Sequence, residues 1–406
     1  MRELADPAEA IAATMTRPLW KPDRAAALAR VDEIDPRAYA RTRNALDGAV
    51  TRLSPWITHG FVDLPEILAH LREHRGLGPL DKLTYEFAWR EFFHHVRRHA
   101  GEGILDDLRS PVWSGRYAQA LPEDIRTAST GVRVIDAGIR QLYADGWLHN
   151  HHRMWLASYV VHTRKVHWRV GADWMYGHLL DGDLPSNHLS WQWCAGTFSA
   201  KPYLFDAANV ARYAPALASP GTAIDHDYET LEAHARTGGD AGPERTDTPP
   251  TAMPALLARP PAATAWPAID ATMVRGRRIA LLHPWSMRRP DDVDVAIAVF
   301  HAPFHARFPW SMRRWDFVTG GMTPIADVLW WGDVATLQPA LREAASVETV
   351  RTEEPEYAAA MRSVATVHRS APRFTADPAT PCRSFSAFWG KVAPAWPHRG
   401  SSASRR

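Results

Sequence analysis

A mainly α fold is predicted, with a helical N-terminal region followed by a smaller α/β domain that holds a parallel sheet. In residues 1–215, apolar side chains recur at helical spacing over long stretches, and strand-like alternation is scarce. In residues 277–406, apolar runs of strand length alternate with helical patterns, which is typical of parallel strands joined by crossover helices. Residues 216–276 are rich in Pro, Ala and Gly and are predicted to be a linker.

Four segments of the first region are predicted helices. Each repeats apolar residues three to five positions apart, as Leu83, Phe87 and Phe92 do in the first segment. The second segment meets a stop signal at Gly146. The four segments are DKLTYEFAWREFFHHVRRHA, VRVIDAGIRQLYADGW, WLHNHHRMWLASYVVHTRK and ADWMYGHLLDGD.

The last region alternates predicted strands with predicted helices. The strands are RRIALLHP, DVDVAIAVF, ADVLWWGD and SVETVRT. The helices are PWSMRRWDFVTGGM, VATLQPALREAA, which contains an internal Pro, and PEYAAAMRSVATVHR. Because a helix intervenes between most successive strands, we expect the strands to run parallel.

Composition excludes several classes of protein. Hydrophobic residues make up 46% of the chain and charged residues 23%, which is an ordinary globular balance. There is no run of about 18 apolar residues and no apolar core of a secretory signal near the start, so we expect a cytoplasmic protein with no membrane partner. Cys194 and Cys382 cannot supply the four thiolates of an iron–sulfur cluster, so none is predicted. A net charge of +2 argues against a strongly basic nucleic-acid coat and permits a local basic patch.

The densest group of polar and aromatic residues lies between Trp147 and Trp193. It contains His149, His151, His152, Asp181, Asp183, Asn187, His188, Trp168 and Trp191. His and Asp are good ligands for zinc or iron, although the spacing is not that of a HExxH or facial-triad motif. The same residues suit helix ends whose polar groups are satisfied internally. They also suit a flavin, because the glycine between Asp181 and Asp183 lets a planar ligand approach the backbone closely.

Four motifs favour the flavin site over the other two interpretations. They are YARTRNALDGAVTRLSPWITHGFV, WREFFHHV, GVRVIDAGIRQLYADGWLHNHHRM and LLDGDLPSNHLSWQW. Together they resemble the FAD-binding domain of the photolyase/cryptochrome family, in the order and at the distances that this family shows. The resemblance covers about residues 37–215 and implies a noncovalently bound FAD.

The resemblance implies a set of cofactor contacts. Tyr39 and the run Thr51, Arg52, Leu53 and Ser54 match the segment that holds the FAD pyrophosphate, where hydroxyls and backbone N–H groups satisfy phosphate oxygens. An N-cap at Ser54 before Pro55 is an equally natural explanation of that run. The remaining matches are Arg153 with Asp181 as an ion pair beside the flavin ring, Asp183 at the imide edge, Asn187 facing N5, and Asn150 near adenine and substrate.

The resemblance also implies a substrate pocket and an electron relay. Glu86, Trp89, Arg90, Met154 and Trp193 match the lesion-pocket and DNA-facing positions, where a flipped pyrimidine pair needs an apolar wall and a few polar groups. Trp191 and Trp168 match the first two members of the tryptophan chain, and Trp113 is the nearest candidate for a third. Each of these apolar residues also suits ordinary core packing.

Several features depart from the family pattern. His151 stands where many members have Arg, and Arg133 replaces a common Pro. The α/β domain that usually precedes the flavin domain has no counterpart before residue 37. Instead, DVDVAIAVFHAPFH, RRWDFV and CRSFSAFWGKVAP in the last region are similar to pieces of a shortened antenna domain, in reversed domain order. We predict neither a second antenna chromophore nor a metal.

The implied activity is that of a deoxyribodipyrimidine photolyase, which splits cyclobutane pyrimidine dimers in DNA by electron transfer from photoexcited reduced FAD. The (6-4) repair branch uses two histidines at the positions held here by Asn150 and Met154, so cyclobutane repair is the expected reaction. Single-stranded or locally melted damaged DNA is the expected partner, because flipping costs less there. A cryptochrome-like blue-light photoreceptor is the alternative, and a DNA-binding relic with an empty pocket is a further one.

Overall fold

A computed structural model describes residues 20–393 and confirms a helical region followed by an α/β domain with a parallel sheet. The helices of the first region, with those of the segment predicted as linker, are α1 Arg24–Asp32, α2 Pro36–Thr42, α3 Ser54–Thr58, α4 Leu64–Arg75, α5 Lys82–Ala100, α6 Glu123–Arg126, α7 Arg133–Asp145, α8 Asn150–Ser158, α9 Trp168–His178, α10 Leu184–Ala195, α11 Ala207–Tyr213, α12 Tyr228–Thr237 and α13 Ala271–Val274. Short 3₁₀ turns occupy Gly101–Leu105, Pro215–Leu217 and Pro261–Ala265, and a π-helical turn at Tyr159–Thr163 extends α8.

The helix ends follow local chemistry. As predicted, α7 stops at Gly146, which takes the left-handed conformation at φ 66°. Helix α10 begins where the carboxylate of Asp183 accepts from the backbone N–H of Ser186, and Pro185 occupies its first turn. The fourth predicted helix is shorter than its segment: α9 ends at His178, because the chain turns extended and Leu180 donates its N–H to Gly146.

The α/β domain holds a five-stranded parallel sheet in the order β5–β3–β2–β6–β7. The strands of the molecule are β1 Leu256–Leu257, β2 Arg278–Leu282, β3 Val295–His301, β4 Trp310–Ser311, β5 Val328–Gly332, β6 Ser346–Val350 and β7 Val367–Arg369, with β1 and β4 forming a separate antiparallel pair. The remaining helices are α14 Ala302–Arg307, α15 Met312–Met322, α16 Gln338–Leu341, α17 Pro355–Val364 and α18 Phe385–Val392, and a 3₁₀ turn spans Val334–Leu337.

Two predicted helices of this domain are wrong in extent. Helix α17 ends at Val364, and the next residues form the edge strand β7, because the Thr366 N–H and hydroxyl both bond to the carbonyl of Val347. The segment VATLQPALREAA is broken into a 3₁₀ turn and α16, with its Pro in the first turn of α16. The four predicted strands are present as β2, β3, β5 and β6. Strand β3 is buried along its whole length, as expected of an interior strand in a parallel sheet.

The segment predicted as linker lies along both parts of the molecule. Glu244 donates its backbone N–H to Thr130 at 2.8 Å and Thr251 donates to Thr127 at 2.7 Å, so the chain follows the helical region. Further on, β1 pairs with β4 of the α/β domain. None of the helices in residues 20–393 combines the length and apolar character that crossing a bilayer requires.

The carboxyl ends of β2 and β6 face the helical region. Strand β3 lies on one side of β2 and β6 lies on the other, so the strand order reverses between β2 and β6. The carboxyl ends of these two strands are therefore the topological switch point, where open α/β sheets usually bind ligands. Here the loop after β2 packs against His59, whose ring nitrogens lie 2.6 Å from the Pro284 carbonyl and 2.8 Å from that of Leu180. The backbone N–H of Met287 also donates to the His59 carbonyl.

A buried arginine makes a second contact between the two parts. Arg314 on α15 is fully buried and donates to the carbonyls of Tyr176 at 2.8 Å and Gly182 at 2.6 Å. Its guanidinium also lies over the ring of Trp310, 4.0 Å from the centroid. A Cβ at position 182 would lie 2.3 Å from the guanidinium, so only glycine fits there.

Candidate cofactor and substrate site

A cavity of about 570 Å³ opens among α2, α3, α5, α8 and α10 of the helical region. Its volume falls within the range of cofactor pockets, roughly 300–1,000 Å³. Nearly every site residue predicted from the sequence lines it: Tyr39, Thr51, Arg52, Ser54, Glu86, Trp89, Arg90, Asn150, Arg153, Met154, Asp181, Asp183, Asn187, Trp191 and Trp193. Leu53 and Trp168 do not line it, because Leu53 is fully buried in the core and Trp168 lies behind the wall on α9.

The segment from Thr51 to Ser54 forms one end of the cavity. Arg52 adopts a left-handed backbone at φ 52°, which costs a non-glycine residue about 1–2 kcal/mol and marks a constrained site. Its guanidinium lies 5.4 Å from the ring centroid of Trp147, and Trp147 donates its Nε1–H to the Ser54 hydroxyl at 3.2 Å. Ser54 lies in the first turn of α3 and is not its N-cap, since Leu53 holds that position without a side-chain bond.

An ion pair between the half-buried Arg153 and the buried Asp181 lines the cavity. Arg153 donates from its terminal nitrogen to Asp181 Oδ2 at 2.7 Å and from Nε to the carbonyl of Leu148 at 3.0 Å. The second oxygen, Asp181 Oδ1, is buried and has no hydrogen-bond partner in the protein. A buried carboxylate oxygen left without a donor is costly, so this atom is placed to accept from a ligand.

Asp183 is surrounded by donors. It contacts Arg90 at 3.1 Å and the His94 ring at 3.0 Å, and it accepts from the N–H and hydroxyl of Ser186. Burial alone would raise the pKa of Asp183, but Arg90 and His94 hold it well below its usual range. The carboxylate is therefore ionised, and Oδ1 accepts from His94 alone, which leaves that oxygen with acceptor capacity.

Asn187 and Trp191 line the cavity from α10, and Trp168 lies on the neighbouring helix α9 without lining it. Asn187 donates from Nδ2 to the Ala172 carbonyl at 2.8 Å, and the same Nδ2 lies 3.5 Å from His188 Nδ1. Trp191 is buried with no partner for Nε1, and its ring packs where a Cβ on Gly171 would lie only 2.3 Å away. Trp168, one turn before Gly171 on α9, donates Nε1–H to Asp107 at 2.6 Å.

The aromatic residues predicted to contact a lesion, Trp89 and Trp193, both line the cavity. Trp89 lines it and stacks its ring on Phe385 of the C-terminal helix α18, with centroids 4.2 Å apart and planes 9° apart. Trp193 packs against Tyr203 at 5.6 Å. Asn150 donates to the sulfur of Met154 at 3.3 Å, so these two lining residues contact each other.

The three nearly adjacent histidines do not form a metal site. The ring of His149 bonds to the His151 N–H and to the Arg43 carbonyl, while the His151 ring stacks on Tyr213 at 5.0 Å. Burial lowers the pKa of His149 to about 4 and that of His152 to about 3, so both are neutral near pH 7.

Elsewhere in residues 20–393, His95, His99 and Asp377 have ligand atoms close enough for a metal. Both nitrogens of His95 are already bonded, one to Asp377 at 2.7 Å and the other to the Cys382 N–H at 2.9 Å. Arg98 also donates to both oxygens of Asp377. Internal bonds thus explain this group without an ion.

Residues 83–230 match the sequence family described as the FAD binding domain of DNA photolyase. This stretch is a photolyase-family FAD-binding domain. Over 149 residues the chain is 37% identical to a deoxyribodipyrimidine photo-lyase of Streptomyces griseus, covering 37% of this chain and 32% of that protein. Over 207 residues it is 31% identical to a cryptochrome DASH of Ostreococcus tauri, covering 49% of this chain and 36% of that protein.

Among solved structures, a class III photolyase from Agrobacterium tumefaciens matches with a TM-score of 0.46 and 23% identity, covering 55% of this chain and 52% of that one. The chain spans about a third to a half of the length of the curated relatives that it matches.

The residues that line the cavity fit FAD on chemical grounds. Arg52 and Ser54 supply a cation and a hydroxyl for phosphate oxygens, whereas α3, with five residues, is too short to supply much helix dipole. The unpartnered Asp181 Oδ1 and the spare acceptor on Asp183 suit the N–H and hydroxyl donors of a flavin and its sugar chain. FAD is therefore the cofactor of this domain, as the sequence predicted.

Several residues in or around the cavity escaped the sequence prediction. Arg43 lies 3.5 Å from Glu86, Trp147 contacts both Arg52 and Ser54, and His94 bonds to Asp183. His94 had a usable signal, since it follows Arg90 by four positions and shares its face of α5. Phe385 had none, because the pairing of α18 with α5 depends on tertiary structure.

Proposed function

We propose that this protein is a light-driven DNA repair flavoprotein that splits cyclobutane pyrimidine dimers. One observation carries the proposal: a single cavity is lined both by the polar groups that suit a flavin and by the wall of Trp89, Met154 and Trp193. A flipped, uncharged pyrimidine pair needs apolar stacking surfaces beside a few hydrogen-bonding groups. Glu86 and Asn150, which also line the cavity, supply such groups.

Reduced FAD, when bound, supplies the electron that opens the cyclobutane ring after light absorption. The protein contributes position and electrostatics. Arg153 and Asp181 hold charges of opposite sign beside each other in a buried setting, and Asp183 adds an ionised acceptor. Asn187 lines the cavity and would face the flavin N5 edge. A dry, pre-organised site of this kind stabilises charge movement better than water does.

Cyclobutane dimers fit the cavity better than (6-4) products as substrate. His149 is the only histidine among the described residues that line it, and burial lowers the pKa of His149 to about 4. Asn150 and Met154 do not titrate. The cavity therefore offers no imidazolium to act as a general acid near pH 7, and cyclobutane splitting needs none.

For photoreduction of the cofactor, we propose Trp191 as the proximal electron donor and Trp168 as the next. The carboxylate of Asp107, bonded to Trp168 Nε1, favours positive charge on that ring. Trp113 is a poor third member, because the ammonium of Lys165 lies 5.3 Å from its ring centroid and disfavours its oxidation.

The test is to illuminate the reduced holoprotein with oligonucleotides that carry each lesion in single-stranded and duplex form. We expect repair of the cyclobutane dimer, with single strands preferred and binding that weakens with salt. Repair of the (6-4) product alone would overturn the assignment of the lesion. Repair of neither would overturn the repair function.

A cryptochrome-like photoreceptor is the second candidate. The observation that favours it is the match to cryptochrome DASH, which extends over 49% of the chain. In that case Trp191 and Trp168 would serve the light response, while Trp89, Met154 and Trp193 would pack a pocket that carries out no repair. The same assay separates the two candidates, because photoreduction without repair is the result expected of the photoreceptor.

A further inference from the structure

The flavin-site aspartate is connected to the α/β domain by one histidine. His94 on α5 bonds through Nε2 to both oxygens of Asp183 at 3.0 Å and through Nδ1 to Glu353 at 2.7 Å. Glu353 follows β6 at the switch point of the sheet, 259 positions along the chain from His94. An imidazole that bonds to a carboxylate at each nitrogen donates twice, which requires the protonated ring.

The surrounding charges support that protonation state. Although burial by itself lowers the pKa of His94, the carboxylates of Asp183 and Glu353 raise it to about 9. In turn His94 and Arg98 outweigh the burial of Glu353 and lower the pKa of that carboxyl to about 2. The three groups therefore form a carboxylate–imidazolium–carboxylate row from the cavity to the α/β domain.

We propose that Glu353 is a positioning residue for flavin binding: through His94 it keeps Asp183 ionised and oriented toward the cavity, so the α/β domain completes the flavin site. The inference rests on the proposed flavin contact of Asp183. A second contact supports it independently. Arg314, also from the α/β domain, donates to the carbonyl of Gly182, the residue between Asp181 and Asp183. The α/β domain thus contacts the loop of Asp181 and Asp183 in two ways: Glu353 acts on the Asp183 side chain through His94, and Arg314 bonds to the backbone of Gly182.

Glu353→Gln is a sharp test because it strands no other group. Arg98 keeps both oxygens of Asp377 at 2.6 and 2.8 Å, and Arg373 keeps Asp377 at 3.8 Å. His94, Arg98 and Arg373 each lose the anion of Glu353, but Arg98 and Arg373 keep Asp377 and His94 keeps Asp183. The glutamine oxygen can still accept the Nδ1–H of His94, so the substitution removes the charge and keeps this hydrogen bond.

The measurement is the dissociation constant of FAD from the full-length protein between pH 5.5 and 9.5. In Glu353→Gln we expect the His94 pKa to fall toward its ordinary value, about 6.5, so that the ring is neutral at pH 8. FAD should then bind about tenfold more weakly than to the unmodified protein at pH 8, as expected for loss of a charge-assisted bond. At pH 5.5 the two proteins should bind FAD equally, because His94 is protonated in both.

Other charged groups face His94 and must be considered in the pH profile. They are Asp183, Glu353 and Glu354, together with Glu91, Arg90, Arg97 and Arg98 on its own helix. The arginines stay charged across this range. Burial raises the pKa of Glu354 to about 7, and the charge of Glu353 adds to that rise, so the Glu353→Gln profile also contains a change in the titration of Glu354.

Glu356→Gln is the matched control. Glu356 is as exposed as Glu353, at 27% against 26%, and it pairs with Arg307 at 2.9 Å, which in turn pairs with Glu102 of the helical region. It has no contact with His94, so FAD affinity should not change. An equal loss in both variants, or no loss and an unchanged pH profile in Glu353→Gln, would overturn the inference.

Asp183→Asn separates this inference from the proposed site. If that variant binds FAD as tightly as the unmodified protein, the flavin contact of Asp183 is wrong. If it binds weakly while Glu353→Gln does not, the contact stands and the positioning role fails. Should Glu353→Gln not fold, ring ¹⁵N NMR of His94 in the unmodified protein decides, because a neutral ring at pH 8 contradicts the proposal.

Discussion

Two places within residues 20–393 have the architecture of a ligand site, but only one of the two contains an open cavity. The helical region encloses a cavity of about 570 Å³. The switch point between β2 and β6 is instead filled by side chains: Trp285 packs on Tyr357 at 4.9 Å and on Phe304 at 5.3 Å. The filled switch point contacts the helical region instead, because the backbone N–H of Met287 donates to the carbonyl of His59.

The two places also differ in charge. In the cavity, Asp183 stays ionised because Arg90 and His94 surround it. At the switch point, burial lowers the pKa of His283 to about 4 and that of His305 well below its ordinary value, so both rings are neutral. The cavity thus keeps both room and an ionised carboxylate, whereas the histidine rings in the filled crevice are neutral.

The largest effect is expected from Asp183→Ala. Arg90 and His94 would lose their common anion, so the free energy of unfolding should fall by about 3–5 kcal/mol and bound flavin should be lost. Denaturant unfolding and the flavin absorbance of purified protein measure these effects. Asp294→Ala is the control, because the pair of Asp294 with Arg278 is exposed and solvent screens it, so its loss should change stability little. Full flavin content in Asp183→Ala would contradict the site.

Trp191→Phe tests whether the wall of the cavity supplies electrons to the cofactor. Phenylalanine keeps the ring packing but resists oxidation, so photoreduction of oxidised FAD should slow at least about tenfold, equivalent to about 1.4 kcal/mol of barrier. Trp168→Phe should have a similar but less complete effect. Flavin content should not change. The control is Trp315→Phe, a fully buried ring of the α/β domain that should leave the rate unaltered. Equal rates in Trp191→Phe and the unmodified protein would show that electrons reach the cofactor by another path.

Glu354→Gln tests the charge at the boundary between the two places. Burial raises the pKa of Glu354 to about 7, so the folded protein binds more protons than the unfolded chain between about pH 4.5 and 7. The free energy of unfolding should therefore fall as pH rises through that window, and the glutamine variant should lose this slope. At about 1.36 kcal/mol per pKa unit, the difference is at most about 3 kcal/mol. Parallel stability curves for the two proteins would show that Glu354 titrates normally.

The smallest effect on flavin binding is expected from Tyr357→Phe in the filled crevice. The Tyr357 hydroxyl accepts from the His301 N–H at 2.9 Å and lies 2.8 Å from His305 Nε2, so its loss should cost about 1–3 kcal/mol. Flavin affinity should stay constant, since the hydroxyl has no contact with the cavity. A large loss of flavin in this variant would break the distinction between a packed crevice and a binding cavity.

The sequence predicted the cavity residues better than the contacts among them. Asp181, Asp183 and Asn187 lie in one short motif, and Trp191 follows on the same helix, so local spacing already places them together. The bond from His94 to Glu353 joins two domains, and no periodicity or motif signals it. The edge strand β7 was missed for a related reason: Val367 and Arg369 are exposed, so β7 lacks an apolar pattern.

The row from Asp183 through His94 to Glu353 also has a consequence for the timing of assembly. The ribosome adds about 5–20 residues per second, so roughly 10–35 s separate the synthesis of Asp183 from that of Glu353. During that interval the helical region lacks Glu353, the carboxylate that bonds to His94 behind Asp183. We therefore expect FAD to be captured tightly only after the sheet has folded, which makes cofactor loading a late event in the biogenesis of this protein.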